Sequence, residues 1–315
     1  MKKRTKLILK IIVSAFLFYL IYRKNDNKFS QVISNFSGFN FWYIPLILLL
    51  IVLNYILGAF RWKSLLIFEN TEHISVKDLI VLYFKGAFFN NFMPSSIGGD
   101  VYKVYGLNQK IKNLSHSFAS VFMDRFTGVL VLFLISLLSL PLVFFKYDFL
   151  KEILNIDISV LSVLLISIGI LISFLICLKI GFWLLNVLSK KMKRLCKVYS
   201  ALKEYSGYPK VVFKAMLISV LVQLASIFTQ YFIFSGLGIQ IDIIFALMTF
   251  PIIALISFLP ISLNGFGVQD GLYKLVFSFA GISDSISLTA SLFYHISRLV
   301  ISLIGGVFYA LGKDK

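Results

Sequence analysis

The chain has 315 residues, of which 59% are apolar and only 14% are Asp, Glu, Lys or Arg, against about a quarter charged in soluble domains. That balance excludes a soluble globular protein and calls for membrane spans. The formal net charge of +17 is concentrated in residues 1–10, 61–112 and 179–214, beside apolar stretches, so it reads as a positive-inside pattern facing anionic lipid headgroups and not as a nucleic-acid surface.

The first predicted span covers about residues 7–22. Its setting, MKKRTKLILKIIVSAFLFYLIYRK, resembles a signal peptide, but no small-residue cleavage site follows, so the span is expected to be retained. A second span is predicted at 41–60, with Arg61, Trp62 and Lys63 marking a cytoplasmic edge. Residues 76–91 are apolar around Lys85 and run into Phe92-Met93-Pro94-Ser95-Ser96-Ile97-Gly98-Gly99-Asp100. Proline and paired glycines end a regular helix, and the piece after them is too short to cross. A re-entrant hairpin over 76–112, entering and leaving on the cytoplasmic side, fits better. A third span, 117–145, carries Asp124 and Arg125 inside it and leads to a short, mildly acidic outer loop.

The fourth span is predicted at 158–178. The loop after it holds Lys190, Lys191, Lys193, Arg194, Lys197, Lys203 and Lys210 against Glu204, which places it in the cytoplasm. Residues 182–205 suit either a basic amphipathic helix lying on the leaflet or an ordinary linker helix. A fifth span follows at 211–235. The segment 243–259 is expected to be broken by Pro251 and ends in Phe258-Leu259-Pro260-Ile261-Ser262-Leu263-Asn264-Gly265-Phe266-Gly267, a second hairpin within 242–281. A sixth span, 285–311, ends in Lys313 and Lys315, so both termini are expected in the cytoplasm. The second hairpin then enters and leaves from the outside.

The two broken segments resemble each other: Phe92-Met93-Pro94 matches Phe258-Leu259-Pro260, and Asp100 matches Asp270. The fold expected is all-α integral membrane, about six transmembrane helices plus two re-entrant helical hairpins in an inverted-topology repeat. Unit A is 1–148 and unit B is 149–315, in a single integrated membrane domain.

Irregular backbone survives at membrane depth only inside protein or beside a watery cavity. The N–H groups of Gly98, Gly99, Gly265 and Gly267 are therefore expected to meet an anion, with Ser95, Ser96, Ser262 and Asn264 as neutral donors. Arg298 sits in mid-span, where a charge is costly unless paired or facing a cavity, and His295 lies three residues before it. Asp124 and Arg125 are adjacent and must point apart. Asp100, Asp270 and Glu69 are candidate counter-charges. Two readings stay open for these groups: a cationic pocket for a lipid phosphate, or an internal ion-pair network. Cys177 and Cys196 are expected to be reduced, the three histidines have no metal-ligand spacing, and no catalytic signature or cofactor motif emerges.

The segments Asn90-Asn91-Phe92-Met93-Pro94-Ser95-Ser96-Ile97-Gly98-Gly99-Asp100-Val101-Tyr102-Lys103, Asp124-Arg125-Phe126-Thr127-Gly128 and Ser262-Leu263-Asn264-Gly265-Phe266-Gly267-Val268-Gln269-Asp270-Gly271 resemble the lysylphosphatidylglycerol synthase transmembrane-region family, the flippase-like membrane domain of the multiple-peptide-resistance factor. The resemblance spans nearly the whole chain. It implies lipid translocation between leaflets of the cell membrane, or a related role in envelope lipid or polysaccharide assembly, and carries Pro94, Ser95, Ser96, Gly98, Gly99, Asp100, Arg125, Asn264, Gly265, Gly267, Asp270 and Gly271 as matching positions. The aminoacyl transferase domain that follows in the full-length factor is not expected here, so the synthase label implies no activity of this chain. Anionic membrane lipids are the expected partners, with a separate synthase or glycosyltransferase as a further one. An integral-membrane transferase acting on a lipid-linked substrate, or a non-transporting membrane partner of a separate synthase, is the alternative.

Overall fold

A computed structural model describes residues 26–92, 98–146, 160–257 and 265–312. Among them the regular structure is helical throughout, with eleven α-helices. They are α1 (Asp26–Ser37), α2 (Ile44–Ser64), α3 (Val76–Phe92), α4 (Gly98–Ile111), α5 (Leu114–Lys146), α6 (Val160–Ser189), α7 (Lys193–Glu204), α8 (Pro209–Gly236), α9 (Ile243–Ser257), α10 (Val268–Ser278) and α11 (Asp284–Ala310). Five described stretches are long and apolar enough to cross a membrane: Phe41–Ser64, Leu114–Phe144, Leu161–Ser189, Pro209–Gly236 and Asp284–Ala310. The expected span at 7–22 lies outside the described residues. The protein is an all-α, multi-pass membrane protein.

Two expectations are corrected. Pro251 does not break its segment, since α9 runs through it to Ser257. Proline costs one intrahelical hydrogen bond, and tight burial against α5 and α8 holds the helix together across the gap. The fourth span does not stop near 178. Gly181 alone is a weak breaker, and Trp183, Leu184, Val187 and Leu188 carry α6 on to Ser189. The basic segment after it is therefore a shorter helix, α7. It docks on the protein through Ala201 and Leu202, and Tyr205 just beyond it donates a hydrogen bond to the Leu65 carbonyl at 2.7 Å.

Inside the spans, hydroxyls are satisfied locally. Thr127, Ser136, Ser139, Thr229, Thr249 and Thr289 each donate to the carbonyl four residues earlier, which keeps a polar side chain tolerable in an apolar environment. The largest core cluster joins α2, α8, α9, α10 and α11 around Phe234, Phe250, Tyr273 and Phe277.

The helix contacts come in reciprocal pairs. α2 packs on α8. α3 packs on α11, and α9 packs on α5. α4 lies between α3 and α5, as α10 lies between α9 and α11. α1 leans on α11, and α7 leans on α5. Exchanging the two halves of the chain reproduces the list. Small residues permit the closest approaches. A Cβ on Gly305 of α11 would lie 2.0 Å from the Phe84 carbonyl oxygen of α3. One on Gly99 of α4 would lie 2.1 Å from the Gly86 oxygen of α3. Backbones this close are the usual way in which membrane helices gain packing energy.

Candidate functional site

Residues from α2, α3, α4, α5, α8, α9, α10 and α11 line one cavity of about 260 Å³. Its walls come from the middle of the spans: Asn54 and Tyr55, Arg125 and Gly128, Gln223 to Gln230, and Tyr294 with Arg298. Asn90 and Asn91 precede the first Pro/Gly break; Ser257 and Gln269 flank the second. Both breaks are thus anchored at the cavity wall by their described ends.

Four cations line this space, Arg61, Lys103, Arg125 and Arg298. On the side built by the first half of the chain they are held by carboxylates. Asp124, fully buried, accepts from Arg61 Nε at 2.7 Å, from the Tyr83 hydroxyl at 2.6 Å and from Lys103 Nζ at 3.4 Å. Its neighbour Arg125 points about 100° away round the helix and donates to Asp100 at 2.8 Å. Lys103 stands between the two carboxylates, 4.0 Å from Asp100, with its ammonium 3.4 Å from the Tyr83 ring centroid, a cation–π contact. Arg61 fits because Gly128 has no side chain: a Cβ there would meet its Nη1 at 2.8 Å.

On the opposite side the lining is different. Arg298 lies 5.4 Å from the Tyr294 ring centroid and beside the Tyr55 hydroxyl, with no carboxylate in ion-pair range among the described residues. Arg125 lines the same cavity. The Gln269 amide nitrogen and the Ser257 hydroxyl are buried and have no hydrogen-bond partner among the described residues. Such groups carry a penalty until something accepts from them.

The residues singled out by sequence distribute unevenly. Arg125 and Arg298 line the cavity, and Asp100 and Asp124 hold the cations that line it. Asp270 and His295 come together elsewhere: Asp270 accepts from Ser291 at 2.6 Å and from the Gly267 N–H at 2.9 Å, and lies 3.6 Å from His295 Nε2. Two of the four glycine N–H groups expected to meet an anion have partners within the chain. Gly98 and Gly99 are buried in the first turn of α4, where the Gly99 N–H is taken by Asn90 Oδ1 at 2.7 Å, and the Gly267 N–H is taken by Asp270. Gly265 and Gly267 have φ of 87° and 82°, a left-handed turn that glycine alone enters cheaply, so their role is to start α10. A Cβ on Gly271 meets nothing within 4 Å. Pro94, Ser95, Ser96 and Asn264, with Pro260 and Ser262, lie outside the described residues. Glu69 forms no ion pair with the cavity cations among those described.

Sequence reasoning missed Arg61, read as a mere edge marker, and also Lys103, Tyr83 and the amides. A signal was present for α8. Ser219, Gln223, Ser226 and Gln230 recur at helical spacing in an otherwise apolar span, a polar stripe that has to face protein or water.

The family model described as Lysylphosphatidylglycerol synthase TM region matches residues 7–306. A UPF0104 membrane protein of Methanothermobacter thermautotrophicus is 26% identical over 287 residues, covering 82% of this chain and 83% of its own. The UPF0104 membrane protein MJ1078 of Methanocaldococcus jannaschii is 27% identical over 237 residues, covering 72% of this chain and 95% of its own.

Proposed function

The chain belongs to the lysylphosphatidylglycerol synthase TM region family, and from that premise we propose that it moves a lipid with an anionic headgroup across the cell membrane, passing the headgroup through the central cavity. The observation that carries the reading is Arg298, which lines the same cavity as Arg125 in mid-span and has no carboxylate in ion-pair range among the described residues. Charge at that depth is costly and is usually tied to a transported group. The volume supports it too. At about 260 Å³ the cavity lies below the ~300–1,000 Å³ of sites that engulf whole drug-sized ligands. It suits a headgroup whose chains stay in the bilayer.

In this reading the two hairpins are re-entrant from opposite faces, the halves are inverted repeats, and both termini and the α7 region face the cytoplasm. The reciprocal helix contacts and the lysines of α6–α7 support that arrangement. Transfer of headgroup-labelled anionic lipids in proteoliposomes tests the function, read by quenching of the outer leaflet. We expect wild-type transfer well above empty vesicles and at least a tenfold loss in Arg298→Gln. No transfer by the wild type across a broad anionic panel would overturn the proposal and favour a membrane partner of a separate synthase. Cysteine labelling tests the topology: Gly238 and Gly281 should react from outside and Lys193 from inside, and inner-face labelling at Gly281 would sink the inverted arrangement.

A further inference from the structure

Resting on that reading, we infer that the transported headgroup carries two negative charges on phosphate oxygens, as a phosphomonoester or pyrophosphate does, and not the single charge of a phosphodiester. The charge count of the cavity carries this. Four cations line it, Arg61, Lys103, Arg125 and Arg298, and two carboxylates, Asp100 and Asp124, face them. Two positive charges remain among the described residues. Asp270 is not among the residues that line the cavity.

The surplus is divided. Three cations share two carboxylates on one wall, and Arg298 on the other has no carboxylate in ion-pair range among the described residues. A dianion between Arg125 and Arg298, which line the same cavity, satisfies both walls at once. A monoanion leaves one charge buried and uncompensated, which is costly in this environment. The remaining free groups fit the same ligand. The Gln269 amide nitrogen and the Ser257 hydroxyl are buried donors without acceptors among the described residues. A terminal phosphate offers only acceptors, and guanidinium groups bind it in a planar, bidentate way. A zwitterionic headgroup would bring an ammonium into a site whose two carboxylates are already used.

The test compares binding of phosphatidic acid, phosphatidylglycerol and phosphatidylcholine with identical short chains to the detergent-solubilised full chain, by tryptophan fluorescence, alongside transfer of the same lipids in proteoliposomes. At pH 8 we expect phosphatidic acid to bind at least tenfold more tightly than phosphatidylglycerol and phosphatidylcholine to bind least. The second ionisation of a phosphomonoester lies near pH ~6, so the preference should shrink toward unity at pH 5 while phosphatidylglycerol binding stays level. Arg298→Gln should abolish the preference, Arg298→Lys should keep most of it, and Gln269→Leu should reduce it severalfold. Phosphatidylglycerol bound and moved as well as phosphatidic acid would overturn the dianion assignment and leave translocation standing. Absence of transfer for every lipid would overturn translocation itself. Glycerol 3-phosphate competing as strongly as the lipid would keep the dianion and overturn its lipid source.

Discussion

On one side of the molecule Asp124 of α5 gathers Arg61, Lys103 and Tyr83 around a single carboxylate in full burial. In the other half, Asp270 of α10 gathers a serine, a histidine and the N–H of Gly267, three residues before it. The helices around the two sites pack in reciprocal fashion, yet the chemistry is unlike. The first site is an ion-pair network bordering the cavity. The second is a hydrogen-bonded anchor for the turn that starts α10, set back from it. What the difference teaches is that two regions packed in matching ways can carry unlike chemistry. One wall holds charge in place, and the other presents Arg298 with no carboxylate in ion-pair range among the described residues.

The comparison breaks most sharply at Asp124. Asp124→Ala leaves Arg61 and Lys103 buried without their shared partner, and removing one member of a buried pair costs ~3–5 kcal/mol. We expect a monodisperse detergent preparation to be lost, or its thermal transition to fall steeply. Asp270→Asn should cost less, about 1–3 kcal/mol, and should leave headgroup binding close to wild type, since the residue does not line the cavity. Equal damage from the two would show that both carboxylates serve one network.

Two glycines sharpen the contrast at lower amplitude. Gly99→Ala drives a Cβ into the Gly86 carbonyl across the α3–α4 contact and should cost about 1–3 kcal/mol. Gly271→Ala meets open space inside α10 and should be neutral or stabilising by up to ~1 kcal/mol. Thermal unfolding of the pair reads both. The smallest effect belongs to Lys146, the last residue of α5, and Asp242, just before α9, which pair with each other. Burial pushes the Asp242 carboxyl up, but hydrogen bonds from Lys146 and from the N–H groups of Ile244 and Phe245 outweigh it and hold the group below its usual value. A depressed carboxylate stabilises the fold above the ordinary carboxylate range and loses that contribution as pH falls through its lowered value. Asp242→Asn should therefore lower the transition by at most ~1 kcal/mol at pH 7, with the difference from wild type fading in acid.

The class of fold was legible from apolar content alone, and five spans were legible from length. The helix ends were less so. Pro251 and Gly181 look like breaks in a linear sequence, but burial in one case and apolar continuity in the other override them. Arg125 and Arg298 were legible as mid-span charges. Arg61 was not, because an arginine at a span's end and one turned inward onto Asp124 have the same local sequence. Which donors lack acceptors is a property of convergence among eight helices, and no window along the chain contains it.

The contact between α3 and α11 has a consequence for how the protein is made. Asn91 donates to Ser302 across 211 positions of sequence, and Gly305 seats its backbone against Phe84. During synthesis α3 emerges long before its partner exists. Its asparagines and the buried Lys85 must wait, hydrated or shielded by the insertion machinery, until the last helix leaves the ribosome. A nascent chain stalled before α11 should accordingly be open to proteolysis at α3, and release of the final span should close it in one step.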